Sequence, residues 1–88
     1  MYSLSIRPSL DKKLQKLIKK DRKKYAIIKK KTEEILINPN HYKNLKEPLQ
    51  NWKRVHIDKN FVLIFSVSEE TKTVILEDFD HHDNIYKN

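Results

Sequence analysis

At 88 residues the chain can build one small core and is too short to divide into two. It contains no cysteine, which excludes disulfides, thiolate chemistry and a zinc finger, and no apolar run nears the roughly 18 residues that span a bilayer. The formal net charge of +7 is uneven: residues 1–54 hold 16 Lys/Arg against 5 Asp/Glu, and residues 55–88 hold 3 against 7. The first part therefore favours a polyanion partner, whose condensed counterions Lys and Arg displace.

Hydrophobic residues make up 38% of the chain, a low share, but they are patterned rather than scattered, which argues against disorder. Tyr2, Leu4 and Ile6 alternate with Ser3, Ser5 and Arg7, the period of a half-buried strand. Pro8 ends it, Ser9 is read as the N-cap of a first helix, and Asp11 lies in the first turn. Leu10, Leu14, Leu17 and Ile18 then make one apolar stripe on a helix otherwise covered with lysine. Asp21 is a second N-cap. The helix after it carries Tyr25, Ile28, Thr32, Ile35 and Leu36 on one side and stops near Asn38, because Pro39 disfavours helical geometry in the residue before it.

Asn38 to Asn51 reads as loop. From Trp52 the period is two: Val55 and Ile57 alternate with Arg54 and His56. Asp58 to Asn60 is a turn, with Asn60 the expected carrier of positive φ in a chain without glycine. FVLIFSV, Phe61 to Val67, is the nearly continuous apolar run of a central strand covered on both faces. Ser68 to Thr71 turns the chain into a third strand, Thr73 to Phe79, and DHHDNIYKN follows as a polar tail or short helix. The expectation is a single α+β domain over residues 1–88 in β-α-α-β-β-β order. An N-terminal αα-hairpin packs on one face of a mainly antiparallel sheet of about four strands. The other face stays partly open and carries Arg54 and His56.

The start, MYSLSIRPSL, lacks a basic segment followed by an apolar one, so the expected location is the cytoplasm. Trp52 is read as a core or edge-packing residue. His41 and Tyr42 sit in the loop with nothing to single them out. Glu77, Asp78, Asp80, His81, His82 and Asp83 crowd potential metal ligands into seven residues, but no second cluster accompanies them, and no metal or other cofactor is expected. The same acidic patch suits a basic protein segment.

Three stretches carry a family resemblance. LKEPLQNWKRVHID, FVLIFSV and HHDNIY, in this order and spacing, resemble the toxins of the RelE/ParE superfamily of toxin–antitoxin systems. The likeness runs over essentially the whole chain and is nearest to archaeal, lysine-rich members. It implies a RelE-type toxin: a ribosome-dependent mRNA endoribonuclease that inhibits translation, held inactive by a RelB-like antitoxin and touching operator DNA only through it.

Carried over by position, the resemblance makes Arg54, His56, His82 and Tyr86 the catalytic candidates, with Lys46, Lys53, Lys59 and His81 as RNA contacts. Metal-free RNA cleavage needs a base for the 2′-hydroxyl, cations for the phosphorane and an acid for the leaving 5′-oxygen, and these residues can supply them. Strand alternation points Lys53 away from Arg54 and His56, and at most one of His81 and His82 can face them. Val62 stands where most active relatives carry an arginine. That departure keeps two alternatives open: a ParE-type toxin that inhibits DNA gyrase without catalysis, and a degenerate subunit that only binds and co-represses.

Overall fold

The computed structural model describes residues 1–46 and 51–86, Tyr86 by its backbone alone. The alternating N-terminal residues form β1 (Ser3–Ile6), and helix α1 (Pro8–Lys20) follows at once. Proline opens α1 because its missing N–H is one that a first helical turn leaves unbonded, and its fixed φ already suits a helix. Arg7 therefore occupies the cap position and Ser9 lies inside the helix, which corrects the assignment of Ser9 as the cap.

Helix α2 (Arg22–Ile37) begins after one extended residue, Asp21, whose carboxylate accepts the Lys24 N–H at 3.0 Å. This is the expected N-cap. Leu10 and Leu14 of α1 and Ile28, Thr32 and Ile35 of α2 are buried, the two stripes facing inward. Thr32 satisfies its buried hydroxyl by donating to the Ile28 carbonyl at 2.8 Å. A single 3-10 turn, Pro39–His41, leads into the loop.

Strands β2 (Lys53–Ile57), β3 (Phe61–Ser68) and β4 (Thr73–His81) complete a four-stranded sheet of order β1-β4-β3-β2, and helix α3 (His82–Tyr86) ends the fold. Among the described residues only the β1–β4 pairing is parallel. Because β1 lies on one edge and β2 on the other, the αα-hairpin must cross the whole sheet between them, and so covers one face. The observed architecture is the expected α+β layer. Positive φ falls on Asp58 and Lys72, not on Asn60. Asp tolerates the left-handed region nearly as well as Asn, and the correction moves the tight point to the start of the β2–β3 turn.

Register assigns the two faces. Leu63 and Phe65 of β3, with Ile57, Val74, Leu76 and Phe79, pack against Leu10, Leu14, Ile28 and Ile35 to form the main core. The alternate residues, Val62 and Ile64, point the other way and are also fully buried, under Leu45, with Trp52 and Ile85 packed against them. FVLIFSV is thus covered on both faces as expected. The second cover is the loop and α3 rather than a helix hairpin. A bulge between Ile64 and Phe65 leaves Glu77 as the extra residue of β4.

Candidate functional site

The site lies on the face away from the hairpin, at the end of the sheet where β2 turns into β3. Arg54 and His56 pair with Ile64 and Val62 across β2–β3, which places both on that face by strand alternation. His56 is exposed and Arg54 is half-buried. The Arg54 N–H is held at 3.2 Å by the Lys43 carbonyl, so the loop stiffens the strand that carries the guanidinium.

His82 reaches the same place from α3. Its N–H donates to the Asn60 carbonyl at 2.6 Å, tying the start of α3 to the β2–β3 turn. Its ring stacks on His56, centroids 6.0 Å apart and planes 19° from parallel. Two imidazoles from elements 26 residues apart in sequence are thus brought together. His81 goes the other way: its ring meets Phe61 edge-on at 5.4 Å, and its Nδ1 accepts the Asp83 N–H at 3.2 Å. Of the two neighbouring histidines, His82 alone joins His56.

The other candidates scatter. Lys53 donates to the Tyr42 carbonyl at 3.1 Å and to Asn44 Oδ1 at 2.7 Å, so its ammonium is engaged by the loop and does not join Arg54 and His56. Lys46 is exposed on the loop and Lys59 is exposed in the β2–β3 turn. The Tyr86 side chain and Glu47 to Gln50 of the LKEPLQNWKRVHID stretch lie outside the described residues. Val62, pairing with both His56 and Asp80, is sealed beneath Leu45, Trp52 and Ile85. An arginine there would have to displace this apolar cover.

β4 carries three acids that are already engaged. Asp80 accepts from the Asn84 amide at 3.0 Å and from the His81 N–H at 2.7 Å. These bonds, with Lys13 nearby, hold its carboxyl below the usual range against the opposing effect of burial. Asp78 accepts from Lys13 Nζ at 2.8 Å, the main cause of the raised Lys13 pKa. Glu77, on the bulge, receives the Ser66 hydroxyl at 2.6 Å and Arg7 Nε at 2.7 Å. Among the described residues no group of three or more His, Asp or Glu side chains is arranged to hold a metal ion. Sequence reading missed the Asn60 carbonyl and the Asp80–Asn84 brace; no residue-type signal marks a backbone acceptor, but the i, i+4 spacing of Asp80 and Asn84 was available.

On the helix side, an apolar cleft of about 260 Å³ opens between β1 and α2, lined by Leu4, Ile6, Tyr25, Ile28, Leu36 and Leu76 among others. Leu4 is 42% exposed there. No described helix is long and apolar enough to cross a membrane.

A family model described as the ParE toxin of the type II toxin–antitoxin system, parDE, matches residues 4–86. The chain belongs to this toxin family. A Methanocaldococcus jannaschii protein named "Putative toxin RelE4" is 67% identical over 87 residues, covering 99% of this chain and 93% of its own. The YoeB/ParE toxin from Agrobacterium tumefaciens has the same fold, with a TM-score of 0.82 at 13% identity over 91% of this chain and 98% of its own. The intact E. coli RelBE toxin–antitoxin complex contains a chain that matches with a TM-score of 0.79 at 20% identity, over 92% and 96%. The expected RelE/ParE resemblance, with an archaeal relative, therefore stands as membership. The protein is a type II toxin of the RelE/ParE superfamily.

Proposed function

We propose that this toxin is a ribosome-dependent endoribonuclease that cuts mRNA by attack of the ribose 2′-hydroxyl on its own phosphodiester. The observation that carries the reading is the His56–His82 stack beside Arg54. One neutral imidazole takes the 2′-hydroxyl proton as the oxygen attacks phosphorus. The other, protonated, gives a proton to the 5′-oxygen as the P–O5′ bond breaks, leaving a 2′,3′-cyclic phosphate. Histidine suits both roles because its ordinary pKa lies near neutrality. Arg54 supplies charge to the phosphorane from a backbone anchored on both sides. Tyr86 orients the nucleotide from the end of α3, and Lys46 and Lys59 contact the flanking RNA.

Neutralisation by a RelB-like antitoxin completes the reading, as in the E. coli RelBE complex. The exposed apolar cleft between β1 and α2 is the seat assigned to it, since such a surface suits an amphipathic partner segment. Leu4→Asp should then weaken antitoxin binding and leave growth arrest intact. The toxin is expected to act in the cytoplasm, where ribosomes are.

A second reading is favoured by one observation: Val62, where an arginine is usual, is buried beneath an apolar cover. A toxin acting on DNA gyrase without catalysis needs no such cation, and neither does a subunit that only binds and co-represses. Inducing the protein and asking whether transcripts are cut or DNA is broken separates the first two. Cut transcripts that vanish with His82→Ala support the nuclease; broken DNA with intact transcripts overturns it, and no growth effect at all points to the binding subunit.

A further inference from the structure

The sharpest concentration of charge lies outside the histidine site, at the tip of the α1–α2 hairpin. Lys19, Lys20, Arg22 and Lys23 surround one acid, Asp21. Asp21 is already engaged: one oxygen accepts the Lys24 N–H at 3.0 Å as the helix cap, and the other lies 3.8 Å from Lys24 Nζ. All four tip cations are exposed, and none makes a side-chain ion pair or hydrogen bond among the described residues. Other hairpin cations do find partners, Lys13 with Asp78 and Lys31 with Glu34.

Stability does not explain the tip. Lys19 and Lys20 agree with the dipole at the end of α1, but Arg22 and Lys23 open α2, whose first turn holds no acid. Cations there oppose the helix dipole. The Asp21 carboxylate already stands at the start of α2 and accepts the Lys24 N–H, so what the tip offers an anion is its exposed cationic side chains.

Position gives the tip its meaning. Lys24 Nζ sits 3.7 Å above the Phe61 ring. Phe61 begins β3, pairs with His81 across β3–β4, and follows the turn whose Asn60 carbonyl anchors His82. The hairpin tip thus meets, from the opposite face, the same end of the sheet that bears the histidine pair, with exposed Lys59 on the turn there.

We propose that Lys19, Lys20, Arg22 and Lys23, with Lys59, form a clamp for the RNA phosphate backbone at the end of the sheet that bears the histidine pair, binding RNA without taking part in its cleavage. The proposal rests on the reading that this toxin acts on RNA. A polyanion fits better than a protein because residues 19–23 carry no apolar side chain to anchor an interface.

The test uses the full chain carrying K19Q, K20Q, R22Q and K23Q together, with K19R, K20R and K23R as a charge-preserving control. Binding is read by anisotropy on a labelled, 2′-O-methylated oligoribonucleotide, and cleavage on ribosome-bound mRNA. Four lost phosphate contacts should lower the slope of log affinity against log salt by about 3, raise KM at least tenfold and leave kcat and the melting temperature unchanged, with the arginine control close to wild type. Unchanged affinity and KM, while His82→Ala abolishes cleavage, would overturn the clamp and spare the nuclease. Failure of the wild type to bind or cut RNA would overturn both. Loss of binding to an acidic protein, with RNA binding intact, would replace the clamp by a protein interface.

Discussion

The two faces of the sheet are built from the same strands and differ in what covers them. Beneath the hairpin, ten buried residues join helices and strands into one core. On the opposite face, among the described residues, only Leu45, Val62 and Ile64 are buried, with the loop and α3 as the cover. Folding energy is concentrated on the first face. The second has just enough apolar packing to hold the loop and α3 while leaving Arg54, His56 and His82 at its rim. In β2, strand alternation divides labour between the faces, so a residue's parity decides whether it serves stability or chemistry.

The largest expected break of this contrast is Phe65→Ala. Phe65 is fully buried on the hairpin side, and its loss should cost about 3–5 kcal/mol in denaturant unfolding, removing toxicity through loss of the fold. His82→Ala should do the reverse. Cleavage should fall on the order of 100-fold or more, the usual contribution of a general acid or base, with the unfolding midpoint nearly unchanged. The wild-type rate should follow a bell-shaped pH profile, since one imidazole must be neutral and the other protonated. Loss of one limb in His82→Ala would sharpen the assignment, and a flat wild-type profile would count against it.

Ile85→Ala probes the thinner cover. Ile85 is half-buried, so about 1 kcal/mol of stability should be lost, and hydrogen exchange in α3 should rise more than exchange in the hairpin. The smallest effect concerns Asp80, whose pKa is lowered chiefly by the Asn84 amide. A lowered carboxylate pKa stabilises the fold above its unfolded value, and that contribution disappears as pH falls through the folded value. Asp80→Asn should therefore remove a stabilisation seen at neutral pH and absent in acid. It should amount to no more than about 0.5 kcal/mol, because the group is over one-third exposed. An equal loss at pH 7 and at pH 2 would show that the brace does not depend on charge.

Much of this was readable from residues. Periodicities of two and of 3.6 gave the element order, Asp21 the break between helices, and the unbroken run from Phe61 a strand covered twice. Strand parity separated Lys53 from Arg54, and the adjacency of His81 and His82 required one to turn away. The rest depended on contacts that local pattern does not encode. That Val62 is sealed by Leu45, Trp52 and Ile85 is a matter of three distant segments converging. The parallel placement of β1 beside β4 follows from the path of the hairpin, and the stacking of His56 on His82 from the hydrogen bond between His82 and Asn60. Ser9 and Asn60 were misjudged where a neighbour, Pro8 or Asp58, had the stronger local preference.

The most direct test of the proposed division between a folding face and a chemical face is cleavage of end-labelled mRNA on purified ribosomes by wild type, His56→Ala and His82→Ala, each matched by its unfolding curve. Cuts by the wild type alone, with all three proteins equally stable, are the expected result. Equal cutting by either alanine variant would contradict it.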